Sequence, residues 1–127
     1  MGLATTIVEL RFPAPNRPLS QNEANRLHWA ARRGRLMPWR EEVTYAWLGA
    51  RNQWEIVKGK PCTIEVLLPF PDRRRRDGHN YTSTVVKAMI DALVMAGLCP
   101  DDTAEWIEVR DPILVVGKEC VVRLIPR

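Results

Sequence analysis

The residues able to do chemistry concentrate between Leu68 and Trp106, which read LPFPDRRRRDGHNYTSTVVKAMIDALVMAGLCPDDTAEW. Asp77 follows directly on Arg73, Arg74, Arg75 and Arg76, and a second acidic locus, Asp101-Asp102, lies beyond an apolar stretch that carries Lys87 and Asp91. Carboxylates of this kind suit a divalent cation, and such a cation beside a phosphodiester orients the phosphate, activates water and stabilises the leaving oxygen. Mg²⁺ favours a few carboxylates plus water. A nearby lysine would offset charge building on the phosphate, and an arginine run would grip a strand backbone with salt-dependent affinity and no base code. Acid beside base is the pattern of a metal-dependent nuclease.

Each residue also has a plainer reading. Four arginines in a row make an ordinary solvated or protein-contacting loop. Asp77, Asp101 and Asp102 sit where turn and capping aspartates belong, and Asn80 either caps the helix that follows or positions a reacting group. Lys87 and Asp91 are spaced as an i, i+4 surface pair in the less favourable Lys-first order. His79 shares a face with Asp77 if the segment is extended, which makes it a candidate metal ligand or proton carrier. His28, Trp29 and the other tryptophans are read as packing residues.

The elements that must position these groups follow from periodicity. Alternation from Thr5 to Phe12 predicts a strand, closed by Pro13, Pro15 and Pro18. The polar stretch Ser20 to Met37 reads as a long loop holding at most one helical turn. Pro38 suits a first helical position, and Trp39, Val43, Ala46, Trp47, Ala50 and Trp54 form the apolar stripe of a helix of about four turns. Cys62, Ile64, Val66 and Leu68 mark one face of a second strand, ended by Pro69 and Pro71. A second helix is expected from about Tyr81 to Ala96, with Gly97 supplying a left-handed cap. Short strands follow near Ala104–Arg110, Ile113–Val116 and Glu119–Ile125, the last two read as a hairpin across Gly117-Lys118. If the second helix packs back on the sheet, the chain returning from it can bring the acidic loci together.

Composition bounds the rest. A chain of 127 residues with 46% hydrophobic content has the size and apolar fraction of one domain, residues 1–127, with its own core. The formal charge is +4 and the pI near 9.3, a modest excess that matters because it is clustered. Cys62, Cys99 and Cys120 are an odd number without Cys-x-x-Cys spacing, which argues against a disulfide framework or zinc knuckle and for a reducing, cytoplasmic setting. No apolar run approaches the roughly 18 residues of a membrane span, and the first ten residues lack the pattern of a leader peptide.

The string PDRRRRDxxN, the helix containing KAMIDAL, and the AG and DD pairs after it together resemble the core signature of the RusA-like family of Holliday-junction resolvases. The N-terminal FPAPNRPLSQNEANRLHWAARR and the PWRE segment are similar to that family more loosely. The resemblance implies a mixed α/β, α+β domain in which a small mixed sheet packs with two main helices, and a homodimer dependent on Mg²⁺ that nicks symmetric strands of four-way or branched DNA. It implies that the first catalytic aspartate is Asp77, the essential lysine Lys87, and the later acidic pair Asp101 and Asp102, with Asp102 the stronger metal ligand. Arg73 to Arg76 and Asn80 are then the nucleic-acid contacts. Relatives of this size are often carried by phages or prophages, so a role in recombination inside a bacterial or phage-infected cell is implied.

Two departures accompany the resemblance. Where well-known members carry a second aspartate two residues after the first, this chain has His79, and its spacer between Asn80 and Lys87 is longer. An imidazole in place of a carboxylate removes a charge and favours Mn²⁺ over Mg²⁺. Either His79 ligates, or Asp77, Asp101 and Asp102 hold the metal with Asp91 contributing from the helix. The longer spacer would extend the loop before the helix, with Thr82, Ser83 or Thr84 as its cap. A chain with a compromised metal site would be a branched-DNA binder without activity, and a broader flap or fork nuclease is the third reading.

Overall fold

Alternation along the first strand decides the layering. Val8, Leu10 and Phe12 are buried while Arg11 is exposed, so one face of the strand meets the core and the other meets solvent. The computed structural model describes residues 6–127, and Thr5, expected in this strand, lies outside them; β1 is Val8–Pro13. The remaining strands are β2 (Cys62–Phe70), β3 (Ile107–Val109), β4 (Ile113–Val116) and β5 (Glu119–Pro126). Among the described residues the helices are α1 (Gln21–Ala24), α2 (Trp29–Gly49), α3 (Trp54–Val57) and α4 (Lys87–Met95). The described residues form a small mixed α+β fold with a five-stranded sheet.

β2 is the centre of that sheet. It pairs antiparallel with β5, which in turn pairs antiparallel with β1, and its other edge is shared by β3 at Cys62–Ile64 and β4 at Leu67–Phe70, both parallel. Pro112, which has no N–H to donate, lies in the gap between those two short edge strands. The hairpin expected across Gly117-Lys118 is not formed. β4 and β5 lie on opposite sides of β2, and the turn wraps round the end of β2, with the Gly117 N–H donating to the Phe70 carbonyl at 2.9 Å. The apolar, two-sided burial of β2 earns it the central place that local turn chemistry alone would have given to a β4–β5 pair.

The solvent face of the sheet carries a charge lattice. Arg123 bridges Glu9 at 2.8 Å and Glu65 at 3.0 Å, and Arg11 pairs with Glu9 and Glu119, each at 3.0 Å. Cross-strand pairs of this kind fix register at little net stabilisation. On the other face α2 and α4 pack against each other and the sheet, and the buried apolar side chains form one cluster. Trp39 meets Phe12 edge-on at 6.2 Å, and Trp47 stacks on Trp54 at 5.0 Å. Their indole N–H groups are all paired: Trp39 donates to Asn16 Oδ1, Trp47 to the Ala96 carbonyl and Trp54 to the Trp47 carbonyl. All three cysteines are buried free thiols. No helix among the described residues is long and apolar enough to cross a membrane.

Two expectations about the N-terminal half are corrected. The segment expected to be loop is largely helix, since α1 begins within it and α2 starts at Trp29 and runs through Pro38. Pro38 therefore lies inside α2 and removes its bond to the Gly34 carbonyl. Asn16 clamps the helix there, donating from Nδ2 to the Arg35 carbonyl at 3.0 Å while accepting from Trp39. His28 and Trp29 are exposed rather than packed: His28 caps α2, its Nδ1 accepting from the Ala30 N–H, and Trp29 is 67% exposed.

Candidate active site

β2 ends at Phe70 and the chain enters the arginine loop. Asp72 accepts from the Arg74 N–H at 3.0 Å and pairs with the Arg76 guanidinium at 2.9 Å, contacts that hold its carboxyl below the ordinary range. Arg76 also lies over the Phe70 ring at 4.2 Å. It is thus a brace for the loop, which leaves Arg73, Arg74 and Arg75 as the exposed side chains of the run.

Asp77 caps the turn that follows, Oδ1 accepting from the His79 N–H at 3.0 Å. Asn80 does not cap; its own N–H donates to the Asp77 carbonyl. The longer spacer before Lys87 is not loop, because it is wound as a 3₁₀ turn, Gly78–Tyr81, and a π-helical turn, Thr82–Val86, leading directly into α4. Such π turns recur where a helix must aim a functional side chain. Thr84 is buried and donates to the Leu19 carbonyl, so it anchors the turn rather than capping it.

Gly78 packs the turn against the connection between β3 and β4. A Cβ there would meet the Pro112 carbonyl oxygen at 2.6 Å, a backbone atom that cannot swing aside. Beside this contact Asp111 accepts from Thr82 Oγ1 at 2.8 Å and lies 3.4 Å from His79 Nδ1, and these two partners hold its carboxyl below the ordinary range. Gly78→Ala is expected to destabilise the fold by about 1–3 kcal/mol, the usual scale of overpacking, as read from the urea midpoint.

Lys87 opens α4 on the other side of the turn. Its ammonium donates to Asp102 at 2.6 Å and to Asp91 at 2.9 Å, raising the Lys87 pKa and lowering that of Asp102. The i, i+4 pair expected from spacing is therefore formed, and Asp102 joins it from the connection after α4. That connection is fixed by the predicted left-handed Gly97, φ 99°, with the Leu98 N–H returning to Leu93 and the Gly97 N–H to Val94. Asp101 turns away: its Oδ1 accepts from the Thr103 N–H and hydroxyl, an Asx turn that lowers its pKa.

Lys87 stands between two hollows. One, of about 250 Å³, is lined by His79, Thr82, Ser83, Ile90 and Val109. The other, of about 510 Å³, is a groove between α2 and α4 with Arg33, Met37 and Arg40 on one wall and Lys87 and Asp91 on the other. No protein-family model and no curated protein sequence matches this chain.

The chain therefore brings Asp91 and Asp102 together on Lys87, and His79 together with Asp111, while Asp77 and Asp101 are engaged as local caps. No three His, Cys, Asp or Glu side chains among the described residues gather as a metal-holding group. Asp91 and Asp102 are the two carboxylates that converge, and the Lys87 ammonium already stands between them; a hard cation such as Mg²⁺ can be held by one or two carboxylates when a phosphate and water complete its shell. Asp111, Arg33 and Arg40 were missed by sequence reasoning. Asp111-Pro112 between two short strands was the available signal for the first; Arg33 gave none because its segment reads as loop, and Arg40 none because it lies in the expected helix but off its apolar stripe.

Proposed function

We propose that the protein is a metal-dependent endodeoxyribonuclease of the RusA-like type, acting on four-way or branched DNA. The reading rests on one observation, the convergence of Asp91 and Asp102 on the Lys87 ammonium beside a basic groove. Asp102 and Asp91 would hold a divalent cation, Mg²⁺ or Mn²⁺, with Asp77 and Asp101 the next carboxylates along the chain. When bound, that cation would polarise the scissile phosphate and lower the pKa of a water. Lys87 then offsets charge on the phosphate oxygens, and the exposed Arg73, Arg74 and Arg75 draw in the strand backbone.

A homodimer completes the proposal, because a two-fold protein presents two equivalent sites to a two-fold junction. Val109, Ile113 and Val116 are exposed apolar residues on the short strands β3 and β4, where a second copy would pack. Light scattering is expected to give about twice the 14.6 kDa chain mass.

One observation favours a second reading: with no three ligands gathered in advance among the described residues, the chain would bind branched DNA without cutting it. A panel of junction, fork, flap and linear duplex in Mg²⁺ and in Mn²⁺ separates the two. The nuclease reading expects metal-dependent nicking with preference for the junction, and turnover is faster in Mn²⁺ than in Mg²⁺ if His79 turns from Asp111 to bring its nitrogen into the metal's shell. Binding without nicking in either metal would establish the binder. Equal cutting of forks and flaps would mark a broader nuclease.

A further inference from the structure

The first turns of α2 bury no apolar side chain against the core. Every residue from Trp29 to Gly34 is exposed, and the helix meets the core only from Leu36 onward. A helical extension without a buried face gains little from packing on its own chain, which leaves its side chains free for an external partner. Its side chains indicate the partner's chemistry. Trp29, Arg33, Met37 and Arg40 recur at helical spacing and so share a face, and the last three line the groove that leads to Lys87.

The two ends of this stripe differ in kind. Trp29 is a large aromatic ring left 67% exposed, backed by the tilted imidazole of His28 at 5.6 Å. Arg33 makes no ion pair among the described residues, and Arg40 leans on the Met95 sulfur at 3.1 Å, so neither guanidinium is neutralised by a carboxylate. Arg32 is tethered to the Ala24 carbonyl and Arg35 to Glu23, which leaves Arg33 and Arg40 as the cations directed to the groove. An aromatic platform in line with unpaired guanidiniums is the arrangement that takes a single nucleic-acid strand, base on the ring and phosphates on the arginines. From Trp29 to Arg40 the helix rises about 16 Å, room for a few nucleotides.

We infer that α2 is a strand-guiding arm: Trp29 stacks on an unpaired base at the branch point, and Arg33 and Arg40 carry the phosphates of that strand along the groove to Lys87. This rests on the nuclease reading for the meaning of Lys87, but not for the binding itself. The arm would favour branched over linear DNA, since pairs at a branch point are interrupted in their stacking and open to offer a base to the ring more readily than pairs inside a continuous duplex.

The test is equilibrium binding in EDTA, where no cleavage occurs, of a fluorescein-labelled four-way junction and a matched linear duplex. Trp29→Ala is expected to weaken junction binding about tenfold while changing duplex binding less than about twofold, and Trp29→Phe to keep most of the affinity. Arg33→Ala with Arg40→Ala is expected to flatten the dependence of log affinity on log salt by about 1.4, the value for two lost single-strand phosphates. The arm is overturned if Trp29→Ala binds both probes as wild type does, weakens both alike, or dissociates a dimer, which would make Trp29 a subunit contact. Wild-type protein that binds neither probe would overturn the nuclease reading as well; wild-type binding with an indifferent Trp29→Ala overturns the arm alone.

Discussion

Asp102→Asn is expected to lower cleavage of a four-way junction at least about a hundredfold, the scale on which removing one charge-stabilising group acts. The amide keeps the shape of the side chain but loses the charge that would hold a cation. Asp102 lies on the surface and its ion pair with Lys87 is solvent-exposed, so the thermal midpoint should not change. Junction affinity in EDTA should be unchanged or higher, because a negative charge beside the phosphate path is gone. Lys87→Met should behave differently: a comparable loss of turnover with weaker strand binding. Rates from single-turnover assays, set beside affinities measured without metal, distinguish the two. If Asp102→Asn cuts at the wild-type rate, Asp102 takes no part in holding the metal.

The largest stability effect is expected at Trp47. Its ring is fully buried, stacks on Trp54 and donates to the Ala96 carbonyl at 3.1 Å, so it ties α2 to the end of α4 and to the segment that follows α2. Trp47→Ala should destabilise by about 3–5 kcal/mol, through lost burial, the cavity left behind and an orphaned carbonyl. Urea unfolding followed by far-UV circular dichroism measures this. A loss below about 1 kcal/mol would mean that the α2–α4 seam recloses over the gap.

The strands and α4 were legible in the sequence because each has a clean period and clear punctuation. Val8, Leu10 and Phe12 alternate, Cys62 to Leu68 alternate, and Gly97 supplies the left-handed cap. α2 was legible only from Trp39 onward. Its first turns carry Trp29, two alanines, arginines and Gly34 without an apolar stripe, since they cover no core. Ser20-x-x-Glu23 was a readable capping box for α1, and the Ser20 hydroxyl does accept from the Glu23 N–H at 3.1 Å. The β4–β5 turn misled because hairpin chemistry is local, whereas the choice of partner strand is set by the burial of β2.

The candidate site divides in the same way. The pairing of Lys87 with Asp91 follows from helical spacing and could be read directly. That Asp102 would join them required the chain to return along α4, which the Gly97 cap directs. Asp77 was read as both ligand and cap, and its present hydrogen bond is the cap. Asp111 meets His79 only because Gly78 lets the turn pack against Pro112, a tertiary contact without a local signature.

Nuclease action is read from a four-way junction labelled on each strand in turn, incubated with the protein in Mg²⁺ and in Mn²⁺ beside a matched linear duplex. Paired nicks at symmetric positions on opposite strands, confined to the junction and absent in EDTA, are the predicted result. An uncut junction in both metals, with the protein demonstrably bound to it, would mean that the protein is not a nuclease of this type.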